Sequence, residues 1–530
     1  MSTVSVNNRP TIAASTAERE AANGRRPSAA SPRPRLARSA VRVLGESAIV
    51  ALVLLALVRT WLIDFRAVDG SSMAETLLGP HVDIKCPDCG WNFAAGVEGA
   101  ESVGRPAVCS NCGSTGASID TATSRTGDGV LIARAGFLFR QPRRWEVVAF
   151  RAPNDLGQVC VKRVAGLPGE RIEILDGDVY ADGQIIRKSL AEQRALAITV
   201  HHDGFRPAAA DAEMCWQAAA GSQWQMIPAG FLFRPSHGRE GAPRRHGDAE
   251  EGVGNGEKTE RGAGESLQSG EPDSSFLIPH SSFQPDWLTY HHVRRNGSSG
   301  RVEEAAVVDV YGYNQTFPVR DVHPVRDLSL CLQLTAAGEG TLYLRGGDGV
   351  QDFVCRVSAD GHADLFQNGK HVEESDKTTS LCGAPRLVEF SLVDRQCLLA
   401  VDGRVLFAHP FDRRPTDAPT TTRPFAMASD GLSLRVEGVH VCRDVYYGPP
   451  SGPSAGSPSG RPWRMGMDEF FVLADNSPRG LDSRHQEFSP AVAAKLFVGK
   501  PFLAYGAGYG PAAGWSSIQV PALRQIRYIR

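Results

Sequence analysis

The sequence is poor in cysteine, in net charge and in long apolar runs, and each shortage excludes a class of protein. Eleven cysteines in 530 residues are too few for a disulfide-dense secreted domain. A formal net charge of −2 gives no basis for a general nucleic-acid binder, so no nucleic acid is expected as a partner. The 42% hydrophobic content suits globular domains with at most one membrane span, and the length allows two or three domains.

One apolar segment near the N-terminus is the candidate membrane span. Its uninterrupted run, Ala48 to Val58, is shorter than the roughly 20 residues of a full span. Counting from Val43 to Ile63 restores the length if Glu46 and Arg59 extend to the two interfaces, and the predicted transmembrane helix is residues 41–64. The arginines before the segment predict a cytoplasmic N-terminus, a single-pass protein of the cell (inner) membrane, and an extracytoplasmic location for all that follows.

Two other interpretations of this segment stay open. A cleaved secretory signal has a similar basic start, but no small-x-small cleavage site follows Val58. A buried core helix can have an apolar run of this length. The basic flank and Trp61 at the outer edge favour the membrane, which makes the lipid bilayer an expected partner.

Three distant stretches contain the residue types of a hydrolase that activates serine without histidine. The first is Gly70-Ser71-Ser72-Met73, just after the apolar segment, and the second is Val161-Lys162-Arg163, followed by Gly166-Leu167-Pro168-Gly169. The third is Leu481-Asp482-Ser483-Arg484. A serine nucleophile and a lysine base are the minimum for such a site. A lysine can accept a proton only where its ammonium form is destabilised, and flanking Val161 and Val164 suit an apolar site.

Together these stretches resemble the type I signal peptidases, membrane-anchored Ser/Lys enzymes that cut signal peptides from exported proteins. The resemblance implies that Ser72 is the nucleophile, that its backbone N–H helps to bind the oxyanion, and that Lys162 is the general base. It places Met73 on an apolar rim that meets the bilayer. It also implies exported preproteins as substrates, with small residues before the cut, and no cofactor for catalysis.

The same resemblance assigns supporting roles in the third stretch and exposes three departures. Asp482 and Arg484 would orient the lysine region, with Asp482 paired to Arg163. Glu75 stands where the family usually has proline, and Ala474 where it usually has glycine. Gly480 stands where the family often has a serine that hydrogen-bonds the lysine, which puts the positioning of the base in question.

Two Cys-x-x-Cys pairs predict a zinc ribbon inserted at residues 86–126. Cys86 and Cys89 form the first pair and Cys109 and Cys112 the second, a spacing typical of a tetrahedral structural Zn²⁺ site. Four cysteine ligands leave no open position for catalysis, so the metal would be structural. Disulfides are the open alternative, because an extracytoplasmic segment is exposed to oxidation.

A second, larger insertion at residues 191–450 is predicted to be a β-sandwich. Short alternating strands with turn signals recur from about residue 327, and residues 236–275 have the composition of a disordered loop. The pattern around Val401-Asp402-Gly403 resembles concanavalin or laminin-G jelly rolls. Such a sandwich could bind a glycan or a protein ligand, and a purely structural insert is the open alternative.

The sequence therefore predicts a mostly β protein: a signal-peptidase-like β core after one transmembrane helix, with two inserted domains. The other predicted segments are a disordered basic tail (1–40), the core pieces (65–85, 127–190 and 465–510), a linker (451–464) and a C-terminal tail (511–530). The predicted function is that of a membrane-bound serine endopeptidase. A self-cleaving Ser/Lys peptidase and a non-enzymatic binding protein with a degenerate peptidase core are the alternatives.

Overall fold

A computed structural model describes most of the chain, and it confirms a mostly β protein. The described residues are 35–97, 106–120, 124–207, 215–235, 285–295, 302–316, 322–412, 419–448, 462–485, 487–506 and 522–529. They form two compact units, one up to Arg59 and the other from Thr60 onward. The predicted basic tail up to residue 34, the predicted loop 236–275 and most of the predicted linker lie outside the described residues.

Among these residues the structure has two α-helices and 33 strands. The helices are α1 (Arg35–Leu57) and α2 (Leu190–Leu196). The strands before residue 207 are β1 (Ile63–Ala67), β2 (His81–Lys85), β3 (Asn92–Gly96), β4 (Pro106–Ala107), β5 (Ala117–Ser118), β6 (Gly129–Ala133), β7 (Val147–Ala152), β8 (Asp155–Gly166), β9 (Arg171–Leu175), β10 (Asp178–Ala181), β11 (Gln184–Ile185) and β12 (Ile198–His202). Those between 215 and 448 are β13 (Trp216–Ala218), β14 (Trp224–Ile227), β15 (Gly230–Phe233), β16 (Leu288–Tyr290), β17 (Val293–Arg295), β18 (Val302–Glu304), β19 (Leu328–Ala337), β20 (Thr341–Gly347), β21 (Asp352–Ser358), β22 (Ala363–Gln367), β23 (Lys370–Glu374), β24 (Arg386–Val393), β25 (Gln396–Val401), β26 (Arg404–Pro410), β27 (Phe425–Asp430) and β28 (Ser433–Arg443). The last are β29 (Trp463–Arg464), β30 (Glu469–Leu473), β31 (Val492–Ala493), β32 (Phe497–Gly506) and β33 (Ala522–Tyr528).

The first unit contains α1, and here the structure departs from the predicted span at residues 41–64. The α-helix ends at Leu57, a π-helical turn occupies Val58–Leu62, and Ile63 already begins β1. Arg42 donates a 2.8 Å hydrogen bond to Glu46 one turn later. Within the described part of the chain, no helix combines the length and the apolar character that a membrane span requires.

The proposed reactive residues lie on or beside an eight-stranded antiparallel sheet. Its strand order is β1-β6-β32-β7-β8-β30-β31, with β33 added to β32. Strand β8 runs between β7 and β30, so a side chain at its C-terminal half has a neighbour on each side. Strand β33 lies within the predicted C-terminal tail. It pairs with β32, with Tyr528 opposite Leu503. A smaller sheet, β11-β10-β9-β29, extends the same half of the molecule.

Residues 191–450 contain two larger sheets whose inner faces share one hydrophobic cluster. Their orders are β14-β15-β28-β19-β24-β25-β26, with β12 on β28, and β13-β16-β27-β20-β21-β22-β23. Successive side chains of a strand point to opposite faces of the sheet, so every second residue of β19 can join the cluster. The buried residues on that face include Leu328, Leu330, Leu332 and Leu334. Phe353 on β21, in the other sheet, joins the same cluster. Burial of a side chain such as Phe353 stabilises the fold by about 1.5–3 kcal/mol.

The turns between neighbouring strands follow the Asx-Gly pairs of the sequence. Asp402 and Gly403 have φ values of 51° and 77° and join β25 to β26, where Val401 pairs with Arg404. Two consecutive positive φ angles define a type I′ turn, which fits the right-handed twist of a hairpin. A glycine in second position adopts this conformation without steric cost, which explains why the sequence signal is reliable here.

Candidate active site

The structure brings Ser72 and Lys162 together, although 90 residues separate them. Lys162 lies on β8, Ser72 lies in the turn that follows Val68, and Lys162 Nζ donates to Ser72 Oγ at 2.6 Å. Lys162 Nζ also donates to the carbonyl oxygen of Val161 at 3.2 Å. The lysine side chain is buried, and this burial lowers the pKa of Lys162 although the Cys160, Asp482 and Asp475 side chains act in the opposite direction. A buried lysine in contact with a serine hydroxyl has the geometry of a base and its nucleophile.

Backbone hydrogen bonds hold the serine turn from both sides. Within the turn, the Ala74 N–H donates to the Ser71 carbonyl at 3.1 Å. From the opposite side, the Asn476 N–H donates to the Ser72 carbonyl at 3.0 Å, and Asn476 Nδ2 donates to the Ser71 carbonyl at 2.9 Å. Asn476 is fully buried, so these bonds are shielded from water. The turn that carries Ser72 is thus held by a residue more than 400 positions later in the chain.

Met73 does not form the apolar rim that the resemblance implies. It is 2% exposed and packs in a core cluster with Leu77, Val130 and Ile132. Met73 therefore points into the sheet, where burial of its apolar side chain holds the serine turn against β6.

Arg163 pairs with Asp475 and not with Asp482, which corrects the predicted pairing. Arg163 Nε donates to Asp475 Oδ1 at 2.8 Å and Nη2 donates to Oδ2 at 2.6 Å, a bidentate and buried arrangement. Asp475 Oδ2 also accepts from Thr76 Oγ1 at 2.5 Å. Since β30 pairs with β8 with Leu473 opposite Arg163, Asp475, two residues beyond the end of β30, lies within reach of the guanidinium.

Asp482 instead pairs with Arg484 in the closing segment. Arg484 Nε donates to Asp482 Oδ1 at 2.9 Å, and the Ala474 N–H donates to Asp482 Oδ2 at 2.9 Å. Burial alone would raise the pKa of Asp482, but the Arg484 charge and the hydrogen bonds from His485, Arg484 and the Ala474 N–H hold it well below its usual range. Arg484 also donates to the carbonyl oxygens of Ser477 and Gly448, which ties this segment to the end of the large insertion.

Ala474 and Gly480, two of the departures from the family pattern, lie next to one another in space. A Cβ built on Gly480 would lie 1.9 Å from the Cβ of Ala474, 3.1 Å from the Asn476 carbonyl oxygen and 3.4 Å from the Ser72 carbonyl oxygen. Two carbons cannot approach to 1.9 Å, so Ala474 and a side chain at position 480 exclude each other. No hydroxyl at position 480 assists Lys162 in this chain.

Sequence reasoning missed two residues of the large insertion that touch the closing segment. Tyr311 donates through its hydroxyl to the Asp475 carbonyl at 2.8 Å. Asn314 exchanges two amide hydrogen bonds with Asn476, at 2.7 and 2.8 Å. Both lie outside any recognised motif, in and beside a short 3₁₀ turn at Gly312–Thr316, and nothing local in the sequence indicates their role.

The four predicted metal-ligating cysteines also come together. The Sγ atoms of Cys86, Cys89, Cys109 and Cys112 all lie within 4.8 Å of one another. The Cys86–Cys112 and Cys89–Cys109 Sγ pairs are each 3.7 Å apart, and all four thiols are free.

The likeness to solved structures is low. Sheep galectin-11 in complex with glycerol matches 22% of this chain and 89% of its own at a TM-score of 0.17 and 13% identity. The apo Crh5 transglycosylase matches 53% and 90% at a TM-score of 0.24 and 9% identity. Scores this low do not establish a shared fold.

Comparison with known sequences gives a more specific result. Residues 100–240 match the family model described as signal peptidase, peptidase S26. A probable signal peptidase I-1 of Synechocystis sp. is 33% identical over 73 residues, which are 12% of this chain and 37% of that protein. Signal peptidase I of Rickettsia typhi is 38% identical over 50 residues, which are 9% and 19% of the two chains. The matched part thus spans well under half of these relatives. Over residues 100–240 the chain is similar to signal peptidases of the peptidase S26 family, which supports a peptidase.

Proposed function

We propose that this chain is a serine endopeptidase that removes signal peptides from exported preproteins. The single observation that carries the proposal is the 2.6 Å contact between Lys162 Nζ and Ser72 Oγ. It is supported by the burial that lowers the pKa of Lys162 and by the similarity of residues 100–240 to signal peptidases. The predicted location at the cell membrane, with the catalytic domain outside, and a glycan or protein ligand of the large insertion remain predictions.

The chemistry begins with neutral Lys162. Its amine takes the proton of Ser72 as the serine oxygen attacks the scissile carbonyl, so that a C–O bond forms and the carbonyl oxygen becomes an oxyanion. The Ser72 backbone N–H is the candidate donor to that oxyanion. Lysine in its ammonium form then gives the proton to the leaving amine as the C–N bond breaks, and an acyl-enzyme remains.

The second half of the reaction uses the same base. Water gives a proton to neutral Lys162 as its oxygen attacks the acyl carbon, and the tetrahedral intermediate collapses with return of the proton to Ser72. The buried Arg163–Asp475 pair fixes the strand ends around the lysine. No step requires a metal or cofactor. The proton that leaves Ser72 departs with the amine, and a proton from the hydrolytic water replaces it.

Cleavage of a preprotein by the purified full chain tests the proposal. The parent protein should release the signal peptide, whereas Ser72→Ala and Lys162→Ala should not. Lys495→Ala is the matched control, because this lysine is exposed in a 3₁₀ turn outside the site and its loss should leave cleavage unchanged.

Circular dichroism shows whether each variant is folded. No cleavage by a folded parent would overturn the peptidase proposal and favour a binding protein. Cuts within the chain itself, lost in Ser72→Ala, would indicate a self-cleaving peptidase instead.

A further inference from the structure

The four cysteines of the first insertion lie on two turns of the same shape. In the first, the Gly90 N–H donates to the Cys86 carbonyl at 3.0 Å, and Gly90 has φ = 77°. In the second, the Gly113 N–H donates to the Cys109 carbonyl at 2.9 Å, and Gly113 has φ = 71°. Each turn ends in a left-handed glycine, which allows both cysteines of a pair to point to the same side.

The distances between the sulfur atoms fit one tetrahedral ion. A tetrahedral Zn²⁺ with Zn–S bonds of about 2.3 Å has sulfur atoms about 3.8 Å apart. The two measured Sγ pairs are 3.7 Å apart, well beyond the roughly 2.05 Å of a disulfide. Asn111 Nδ2 lies 3.8 Å from Cys89 Sγ and donates to it, an outer contact of the kind that orients metal ligands.

The second cysteine turn is joined to the large insertion by one side chain. Gln315 Nε2 donates to the Val108 carbonyl at 2.6 Å, and the Val108 N–H donates to Gln315 Oε1 at 2.5 Å. One glutamine thus satisfies both backbone groups of the residue that precedes Cys109. Gly312, three residues earlier, lies against Ser110 in the middle of the turn.

The neighbour of Gln315 continues the connection to the nucleophile. Asn314 exchanges two hydrogen bonds with Asn476, and the Asn476 N–H and Nδ2 donate to the carbonyl oxygens of Ser72 and Ser71. The contacts therefore run without a gap from the second cysteine pair through Gln315, Asn314 and Asn476 to the serine turn. A fully satisfied network of hydrogen bonds rigidifies the groups that form it, which is the basis of this connection.

We propose that Cys86, Cys89, Cys109 and Cys112 hold one structural Zn²⁺, and that the held turn positions Ser72 through Gln315 and Asn314. The zinc site stands independently of the proposed peptidase function, whereas the positioning role rests on it. In this arrangement Gln315, Asn314 and Asn476 are positioning residues, because none of them touches the reacting atoms. The two insertions then form part of the support of the active site.

Metal analysis of the full-length chain tests the zinc site. One zinc per chain is expected as isolated, with loss of zinc in the double variant Cys109→Ser/Cys112→Ser. Cys382→Ser is the matched control, since this free cysteine lies in the large insertion and should keep full zinc. Replacement of zinc by Co²⁺ should give the absorption bands of a tetrahedral thiolate site. Absence of bound metal, or two disulfides found by thiol alkylation and mass spectrometry, would overturn the site.

Hydrogen exchange tests the connection without any peptidase assay. Gln315→Ala should keep its zinc but speed exchange of the amides at residues 70–77, and Asn314→Ala should do so more strongly. Gln217→Ala, on β13 of the large insertion, is the control and should leave these amides unchanged. Unaltered exchange at residues 70–77 in both Gln315→Ala and Asn314→Ala would refute the positioning role.

Peptidase kinetics then separate the two proposals. If the parent cleaves preprotein, Gln315→Ala and Asn314→Ala should lower kcat severalfold with little change in KM, since the nucleophile and not the binding surface is displaced. If the parent does not cleave, the metal and exchange results still decide the zinc site and its connection, and only the peptidase function fails.

Discussion

Ala474 and Gly480 share a space that holds only one side chain. The Cβ that a residue at position 480 would carry falls 1.9 Å from the Ala474 Cβ. In the family that the sequence resembles, glycine usually stands at the first position and serine often at the second. This chain has alanine at the first position and glycine at the second, so the one side chain that the space holds comes from position 474 instead of position 480.

The shared space predicts strong non-additivity between the two positions. Gly480→Ser alone should destabilise the fold by about 1–3 kcal/mol, because overpacking a closed space forces backbone shifts. The double variant Ala474→Gly/Gly480→Ser should recover most of that loss, since the clash is removed. Denaturant unfolding of the two single variants and the double variant measures the coupling. Additive free energies of unfolding would contradict the shared space.

The dyad predicts a pH profile for cleavage. Because burial lowers the pKa of Lys162, the neutral base should form below the usual range of a lysine, and kcat/KM should rise with pH through that lowered pKa. The pH dependence of kcat/KM for a short peptide substrate measures it. A rise centred on the usual lysine pKa, or no rise at all, would argue against Lys162 as the base.

The Arg163–Asp475 pair predicts a large loss of stability when one partner is removed. Asp475→Ala leaves a buried guanidinium without its carboxylate, which should cost about 3–5 kcal/mol. Thr76→Val removes only one hydrogen bond to the same carboxylate and should cost about 1 kcal/mol. Urea unfolding compares the two variants. Equal effects would mean that the pair is not the dominant contact of Asp475.

His292 predicts acid sensitivity of the large insertion. Burial lowers the pKa of His292 to about 3, with the His201 and Arg294 charges acting in the same direction. In the unfolded chain, His292 binds a proton near its usual pKa of 6.5, whereas in the folded protein it stays neutral until the pH approaches 3. The free energy of unfolding therefore decreases as pH falls from 6.5 toward 3.

The free energy of unfolding at several pH values, for the parent and for His292→Gln, measures this effect. The glutamine variant should depend less steeply on pH in that window, because it has no proton to bind. His409→Gln, which changes a partly exposed histidine on β26, serves as the comparison. The prediction is wrong if the pH dependence of His292→Gln matches that of the parent.

The parts of the site that short motifs encode could be predicted from the sequence. Ser72 and Lys162 each lie in a local pattern, and hairpin turns such as Asp402-Gly403 carry their own backbone requirement. The partner of Arg163 could not be predicted, because it depends on how β30 is aligned with β8. Both Asp475 and Asp482 follow β30 closely in the sequence, so either could have been the partner. The C-terminal limit of the helix could not be predicted either, because apolar content does not distinguish the last turn of α1 from the start of β1, and no described helix meets the requirements of the predicted membrane span.

The role of Asn314 could not be predicted for a different reason. A single asparagine in a loop has no periodicity or spacing that indicates a partner, and its partner Asn476 is 162 residues away. Considered separately in the sequence, Ala474 and Gly480 each suggest a weakened site. Only the short distance between the two positions in space shows that a side chain at one excludes a side chain at the other.

The hydrogen bond between Asn476 and Ser71 joins residues 405 positions apart. Synthesis from the N-terminus makes the serine turn first and Asn476 much later, with the whole of the large insertion in between. During synthesis the serine turn must therefore wait, with its neighbours Lys162 and then Asn314 appearing one after another. The hydrogen bonds that hold the serine turn from Asn476 can therefore form only after the large insertion has been synthesised.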